Sequence, residues 1–422
     1  MKKLTILAGI AVMALAACTK STPVAEPQKE ITFQVANYVQ TKANVVYDTA
    51  NEFGTYAWFT AVDNDPTDAV TYSDHAEFMV NEKVGFVSSV WRTKVQTFYW
   101  PKTGTMDFIS YSPFDGTNGT ADSNPVVTKS AAHAYTLDYT ASAAASTAIA
   151  ATDYMYADKV TCTNADQNTP NDVNIDKEAD GTTDYTGAQY SGVPTLFRHA
   201  LAKLNFTVEP TFLSYTDPLD ATKTTYWKVT VKELSVSGFY TEGTCQLNWG
   251  LPTAASTAEE WIKPANNVWT VAAGSASTTA QNLVGDTPIV YQNKVATDPG
   301  YFVPGTTAAT NLNALTQAFV MPQLIVDGQQ QLKLDIDIET TLVNGNVIKE
   351  NYTKTLDLYD MLYDATASPT PRIEMNKNLT YKIRIKPTAY NNTTDAPTDV
   401  IINFDPAVAD WESESVALNI IL

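Results

Sequence analysis

The densest set of potential metal ligands in this sequence is Asp176, Glu178, Asp180 and Asp184, grouped around Gly181. Carboxylates at alternate positions offer the hard oxygen donors that calcium takes, and a glycine permits the sharp turn such a loop needs. The twelfth position counted from Asp176 is Gly187, where a calcium loop carries glutamate. The same residues therefore read equally as a solvated acidic loop. The histidines offer less. His75, His133 and His199 are far apart, and His199 lies in a strand-like stretch where a structural role is expected. The sequence contains no G-x-S-x-G elbow, H-E-x-x-H pair, phosphate-cradling glycine loop or C-x-x-C. Those are local signatures of acyl transfer, zinc hydrolysis, nucleotide binding and thiol redox chemistry. Neither enzymatic activity nor a cofactor is expected.

Cysteine chemistry points elsewhere. Lys2 and Lys3 precede an apolar run from Leu4 to Leu15, and Leu15-Ala16-Ala17 sets small residues directly before Cys18. This is the layout of a secretory signal, and the run is shorter than the ~20 residues a membrane-crossing helix needs. Cysteine after Leu-Ala-Ala resembles the lipobox of bacterial lipoproteins. That resemblance implies that residues 1–17 are removed, that Cys18 is acylated, and that the chain is held to the outer membrane by its lipid. Each acyl CH₂ entering the bilayer contributes about 0.8 kcal/mol, so several chains hold firmly. Residues 18–30 then read as a lipidated tether rich in Ser, Pro and Lys. Cys162 and Cys245 could form one bridge after export or remain as two buried thiols.

The remaining composition favours strands. The formal charge of −19 argues against nucleic acid or acidic lipid as a partner, since phosphate binding needs a basic surface. Tyr, Thr, Val and Asn are abundant, and apolar residues alternate with polar ones in many runs. Leu204, Phe206 and Val208 form one such run. Trp227, Val229 and Val231 form another, resumed by Leu234 and Val236 after an expected bulge. Leu332, Leu334, Ile336 and Ile338 alternate with Lys333, Asp335, Asp337 and Glu339, and Leu379, Tyr381, Ile383 and Ile385 repeat the pattern. Strands of this kind bury one face and wet the other, as in antiparallel sandwiches. No stretch holds a helical stripe over three turns; Ser142 to Ala150 is only alanine-rich. A polar segment from Thr161 to Gly192 suggests a boundary near residue 192, which separates domains at 31–192 and 193–422.

Several blocks carry a family resemblance. Phe98-Tyr99-Trp100-Pro101 followed by Asp107-Phe108-Ile109-Ser110-Tyr111-Ser112-Pro113 resembles the "YWP…FxAYxP" block of the fimbrillin-like proteins of Bacteroidales. Asp153-Tyr154-Met155-Tyr156-Ala157, Phe197-Arg198-His199-Ala200-Leu201-Ala202-Lys203-Leu204, Phe319-Val320-Met321-Pro322-Gln323 and Ala409-Asp410-Trp411 resemble further family blocks, in the same order. The resemblance implies an all-β fold of two tandem transthyretin-like β-sandwich domains. It also implies a role in type V pili, where other pilin subunits are the partners. In the family's stalk subunits a loop after the first strand is cut, and the C-terminal strand of a neighbour fills the vacated groove.

Both ends of this sequence match that mechanism. Ile31, Phe33 and Val35 alternate with polar or small residues and supply the removable first strand. Val39-Gln40-Thr41-Lys42-Ala43 follows, in the place of the family's cleavage site, so processing is expected between Lys42 and Ala43. Lys42 stands where arginine is usual, and lysine makes point contacts where arginine makes two-pronged ones. Val416, Leu418 and Ile420 fall on one face of an alternating segment, Ser415 to Leu422, that could donate a strand or close its own sheet. Burial of three such side chains is worth ~1.5–3 kcal/mol each. A second reading is a monomeric surface module that binds a glycan or host ligand through aromatics such as Tyr99, Trp227, Trp249, Trp261 or Trp269.

Overall fold

The computed structural model describes residues 29–35, 47–60, 76–102, 104–131, 134–140, 152–157, 159–164, 173–175, 189–210, 216–217, 219–247, 269–284, 287–294, 318–362, 370–386 and 401–408. These residues are almost entirely β-strand, arranged in several sheets. The one helix among them is the short turn Leu358–Leu362, which buries Leu358 and Met361.

Period-two patterning becomes structure most directly in the strand Gln331–Thr341, where burial alternates at every residue. Leu332, Leu334, Ile336 and Ile338 are buried. The strand pairs antiparallel with Tyr226–Ser237 on one side and Val347–Asp357 on the other. The register of the first pairing shifts between Val231 and Glu233, at the expected bulge. On the polar face Lys232 Nζ lies 2.9 Å from Asp337 and 3.2 Å from Asp335, and Lys333 Nζ lies 2.7 Å from Glu233. Such half-exposed pairs contribute only ~0–1 kcal/mol each. The apolar face is what fixes the register, because a one-residue slip would turn all four aliphatic side chains to water.

Hydrophobic residues gather into three clusters. One contains Leu204, Phe206, Trp227, Val229, Ile336 and Ile383. A second contains Tyr56, Trp58, Tyr111, Tyr135, Leu137, Cys245, Phe319 and Met375. The third contains Ile31, Phe33, Phe53, Trp91, Phe108 and Val193. The strands Phe53–Thr60 and Thr105–Ser112 lie side by side and serve the last two clusters at once. Phe53, Ala57, Met106 and Phe108 enter one, and Tyr56, Trp58, Ile109 and Tyr111 the other. Both faces of this part of the sheet are thus covered, which explains why these strands carry near-continuous apolar and aromatic runs.

Main-chain pairing crosses residue 192. Val193–Thr195 and Phe197–His199 join the sheet built upstream. Ala134–Thr140 pairs with Glu242–Leu247, which places Leu137 opposite Cys245 and Tyr135 opposite Leu247. Cys162 and Cys245 are both buried free thiols, in different clusters. Burial raises the pKa of the Cys245 thiol above its ordinary value.

Replacing Ile336, fully buried at the centre of its strand, with alanine should lower unfolding free energy by about 2–5 kcal/mol. Replacing Asp337 on the polar face with alanine should cost within ~1 kcal/mol. Urea unfolding of the two variants checks this contrast, and equal costs would contradict the assignment of faces.

Candidate functional site

The first strand, Thr32–Val35, occupies the interior of the large sheet rather than its edge. On one side it pairs antiparallel with Val90–Thr93, Thr32 opposite Arg92 and Phe33 opposite Trp91. On the other it pairs parallel with Val193–Thr195, Phe33 opposite Val193 and Gln34 opposite Pro194. Just before the strand, the Ile31 N–H donates to the carbonyl of Phe98, and the Trp100 N–H donates to that of Lys29, both at 2.8 Å. Arg92 Nη1 lies 3.2 Å from Glu30 Oε2.

Side chains seat this strand firmly. Ile31 is 0% exposed and Phe33 3%, and Val35 is half-buried. The Phe33 ring meets Phe53 and Phe108 edge-on, with centroids 5.6 Å and 5.9 Å apart. On the opposite face, Thr32 Oγ1 donates to the Ser191 carbonyl at 3.3 Å. The Ser191 N–H donates to Gln34 Oε1 at 3.1 Å, and the Ser191 hydroxyl lies 3.1 Å from the same oxygen. Gly192 completes the fit: a Cβ there would lie 2.8 Å from the Thr32 carbonyl oxygen and 2.9 Å from the Phe33 carbonyl carbon. Only glycine allows so close an approach of two backbones.

The chain re-enters the same cluster at Tyr47, whose ring stacks on Phe197 at 4.7 Å and whose hydroxyl lies 2.7 Å from Ser112 Oγ. Burial pushes the Tyr47 pKa up to about 12. Without residues 31–35, the facing N–H and C=O groups of two strands and the aromatic faces of Phe53, Phe108 and Trp91 would meet water. A bare edge of this kind is a template for another strand.

Other polar residues hold structure. His199 Nδ1 lies 2.8 Å from Asp153 Oδ2, which ties two family-like blocks together. The buried Asp107 carboxylate accepts from Tyr135 Oη at 2.5 Å and Thr161 Oγ1 at 2.6 Å. Burial first, and the Asp107 charge second, raise the pKa of the Tyr135 hydroxyl. Among the described residues no group of three or more His, Cys, Asp or Glu could hold a metal ion. Trp227 is buried in a core, Trp269 packs against another, and Tyr99 is exposed. Cys18, Lys42, Ala43, His75, His133, Asp176, Glu178, Asp180, Asp184, Trp249, Trp261, Val416, Leu418 and Ile420 lie outside the described residues.

A protein-family model described as fimbrillin-like matches residues 41–411. The chain belongs to the fimbrillin-like family. The family is structural rather than enzymatic, and membership supports a role as a pilus subunit or anchor at the cell-surface fimbrium. Among solved structures, a fimbrial protein from Bacteroides vulgatus is 17% identical, with 91% of this chain and 100% of that chain covered at a TM-score of 0.50. The fimbrial anchor protein Mfa2 from Porphyromonas gingivalis is 12% identical, with 93% and 99% covered at a TM-score of 0.29. No curated protein matches. Among the described residues no helix is long and apolar enough to cross a membrane.

Sequence patterning points to Ile31, Phe33 and Val35 but not to Ser191 or Gly192, which grip the first strand of this fimbrillin-like chain from far along the sequence, nor to Tyr47, which packs against Phe53, Trp91 and Phe197 in the same cluster. Replacing Gly192 with alanine should destabilise the protein by roughly 1–3 kcal/mol. It should also speed amide hydrogen exchange in residues 31–35 more than in Gln331–Thr341. Uniform protection across both strands would show that Gly192 does not govern the first one.

Proposed function

We propose that this protein is a structural subunit of a type V pilus, exported as a lipoprotein on Cys18 and cut between Lys42 and Ala43. Loss of the first strand then opens a groove that the segment around Val416, Leu418 and Ile420 of another subunit fills. The observation that carries this reading is the position of Thr32–Val35: it is an interior strand, so its departure bares two strand edges and an aromatic pocket together. Burying Ile31 and Phe33 is worth ~1.5–3 kcal/mol each, so the vacated groove has several kcal/mol to regain from any well-matched strand.

Family membership supports the coarser part of this reading, and the sequence resemblance supports the finer part. In this reading the lipid holds the precursor at the outer membrane until cleavage, and other pilin subunits are the partners. Of the described aromatics considered for a carbohydrate-binding surface, Trp227 is core and Trp269 packs inward, which leaves Tyr99 as the exposed one of the three. The acidic loop around Asp180 is read as solvated.

Intact mass and N-terminal sequencing of the protein recovered from the surface of its native cells test the processing. A chain beginning at Ala43 within high-mass assemblies is the expected result. An acylated monomer still beginning at Cys18 would refute processing and favour an uncleaved anchor. Cys18→Ser should release the precursor from membranes, whereas persistent membrane attachment would overturn the lipid anchor. Deleting Ser415 to Leu422 should leave monomers folded and abolish polymers; polymers of normal length would exclude strand donation by this segment.

A further inference from the structure

Resting on strand donation as proposed above, the register of the incoming strand follows from a likeness between two segments of this one chain. Ile31-Thr32-Phe33-Gln34-Val35 and Val416-Ala417-Leu418-Asn419-Ile420 share one pattern: aliphatic, small, large apolar, amide, aliphatic. We propose that Val416–Ile420 of a second copy enters the groove like for like. It runs parallel to Val193–Thr195 and antiparallel to Val90–Thr93, and Asn419 takes the place of Gln34 beneath Ser191.

The seats select this register. Ile31 and Phe33 are buried, Thr32 is buried against Ser191, and Gln34 is exposed with its side-chain oxygen held by the Ser191 N–H. Asn419 carries the same amide oxygen and can accept the same bond. A slip of two residues in one direction puts Glu414 in the seat of Ile31, where a carboxylate would be buried in an apolar cluster. The opposite slip puts Ile421 at the exposed position of Gln34 and leaves Ser191 without its acceptor. Slips of one residue turn Ala417 or Asn419 into the Phe33 pocket and lose the apolar face. Gly192 fits the same strand, because what approaches it is backbone, common to both segments.

Paired cysteines read the register directly. Thr32 lies opposite Arg92, so the like-for-like register sets Ala417 of one copy opposite Arg92 of the next. Facing positions in an antiparallel pair are ~4.5–5.5 Å apart between Cα atoms, within disulfide reach, and positions two residues away are not. Three double variants of the full chain are oxidised after assembly on cells: Arg92→Cys combined with Ser415→Cys, Ala417→Cys or Asn419→Cys. Linked ladders only with Ala417→Cys are expected. Ladders with either alternative would overturn the register while leaving strand donation intact; assemblies in which none of the three links would likewise overturn this register, and donation itself is decided separately by the deletion of Ser415 to Leu422.

A second measurement leaves Arg92 in place. Assemblies of Asn419→Gln should dissociate in denaturant as the parent does, and those of Asn419→Leu roughly five-fold faster, the size of one lost hydrogen bond. Equal rates for all three would overturn the assignment of Asn419 to Ser191.

Discussion

Phe33 stands where two unlike pairings meet, opposite Trp91 in an antiparallel ladder and Val193 in a parallel one. Its ring touches Phe53 and Phe108 from the edge. Much of the cluster around it depends on that placement. A parallel neighbour cannot arise from a tight hairpin, so Val193–Thr195 must be delivered by a long stretch of intervening chain. Residues from 31 to 197 are thereby bound into one hydrophobic cluster. In the proposed mechanism the same fact would make the strand separable. Short, and joined to Tyr47 through residues 36–46, it is held by contacts with elements distant in sequence. Cutting the chain beside it would leave those elements standing.

The part of the sheet formed by Phe53–Thr60 and Thr105–Ser112 is covered on both faces, which constrains its polar residues. Asp107 is buried and accepts from Tyr135 and Thr161; either hydroxyl lost would remove a hydrogen bond from a buried carboxylate. Tyr111 Oη lies 2.6 Å from Asn81 Oδ1 and 2.8 Å from the Asp115 carbonyl oxygen, which share its one proton. Gly54 clears the space its ring needs, since a Cβ there would lie 2.3 Å from it. Asp107 and Tyr111 lie in a block that carries the family resemblance. Their chemistry is that of closing a sheet packed on both sides, which is why polar residues in those blocks need not signal catalysis.

The legible part of the fold was the part governed by local periodicity. Gln331–Thr341 could be read to the residue because one face is apolar and the other charged, and the bulge after Val231 appeared as a break in alternation. Phe53–Thr60 gave no such alternation, because both of its faces are buried. Ser191 and Gly192 were invisible for a different reason. They sit in a polar, turn-like stretch that local pattern reads as a boundary, and their importance lies in contacts with residues more than a hundred positions away. Pairing across residue 192 was likewise hidden, since nothing in Tyr135 or Leu137 announces that Leu247 and Cys245 will lie opposite them.

If assembly proceeds by the proposed strand donation, the two like-patterned segments differ in a way that would require cleavage to precede it. In the native seat Phe33 fills the pocket formed with Phe53 and Phe108, whereas Leu418 is smaller and would leave part of it unfilled, at a cost in lost contacts. The resident strand also belongs to the same chain as its groove, which makes its binding intramolecular and raises its effective concentration above that of a separate strand. An incoming strand of equal or poorer fit at lower concentration could not displace it at equilibrium. Once the connection is cut, the resident strand loses the advantage of its tether and can dissociate by dilution. The incoming strand remains part of a folded subunit that can contribute further contacts of its own. The larger aromatic in the resident strand would keep precursors closed before processing, and the cut would reverse the balance without any change to the groove.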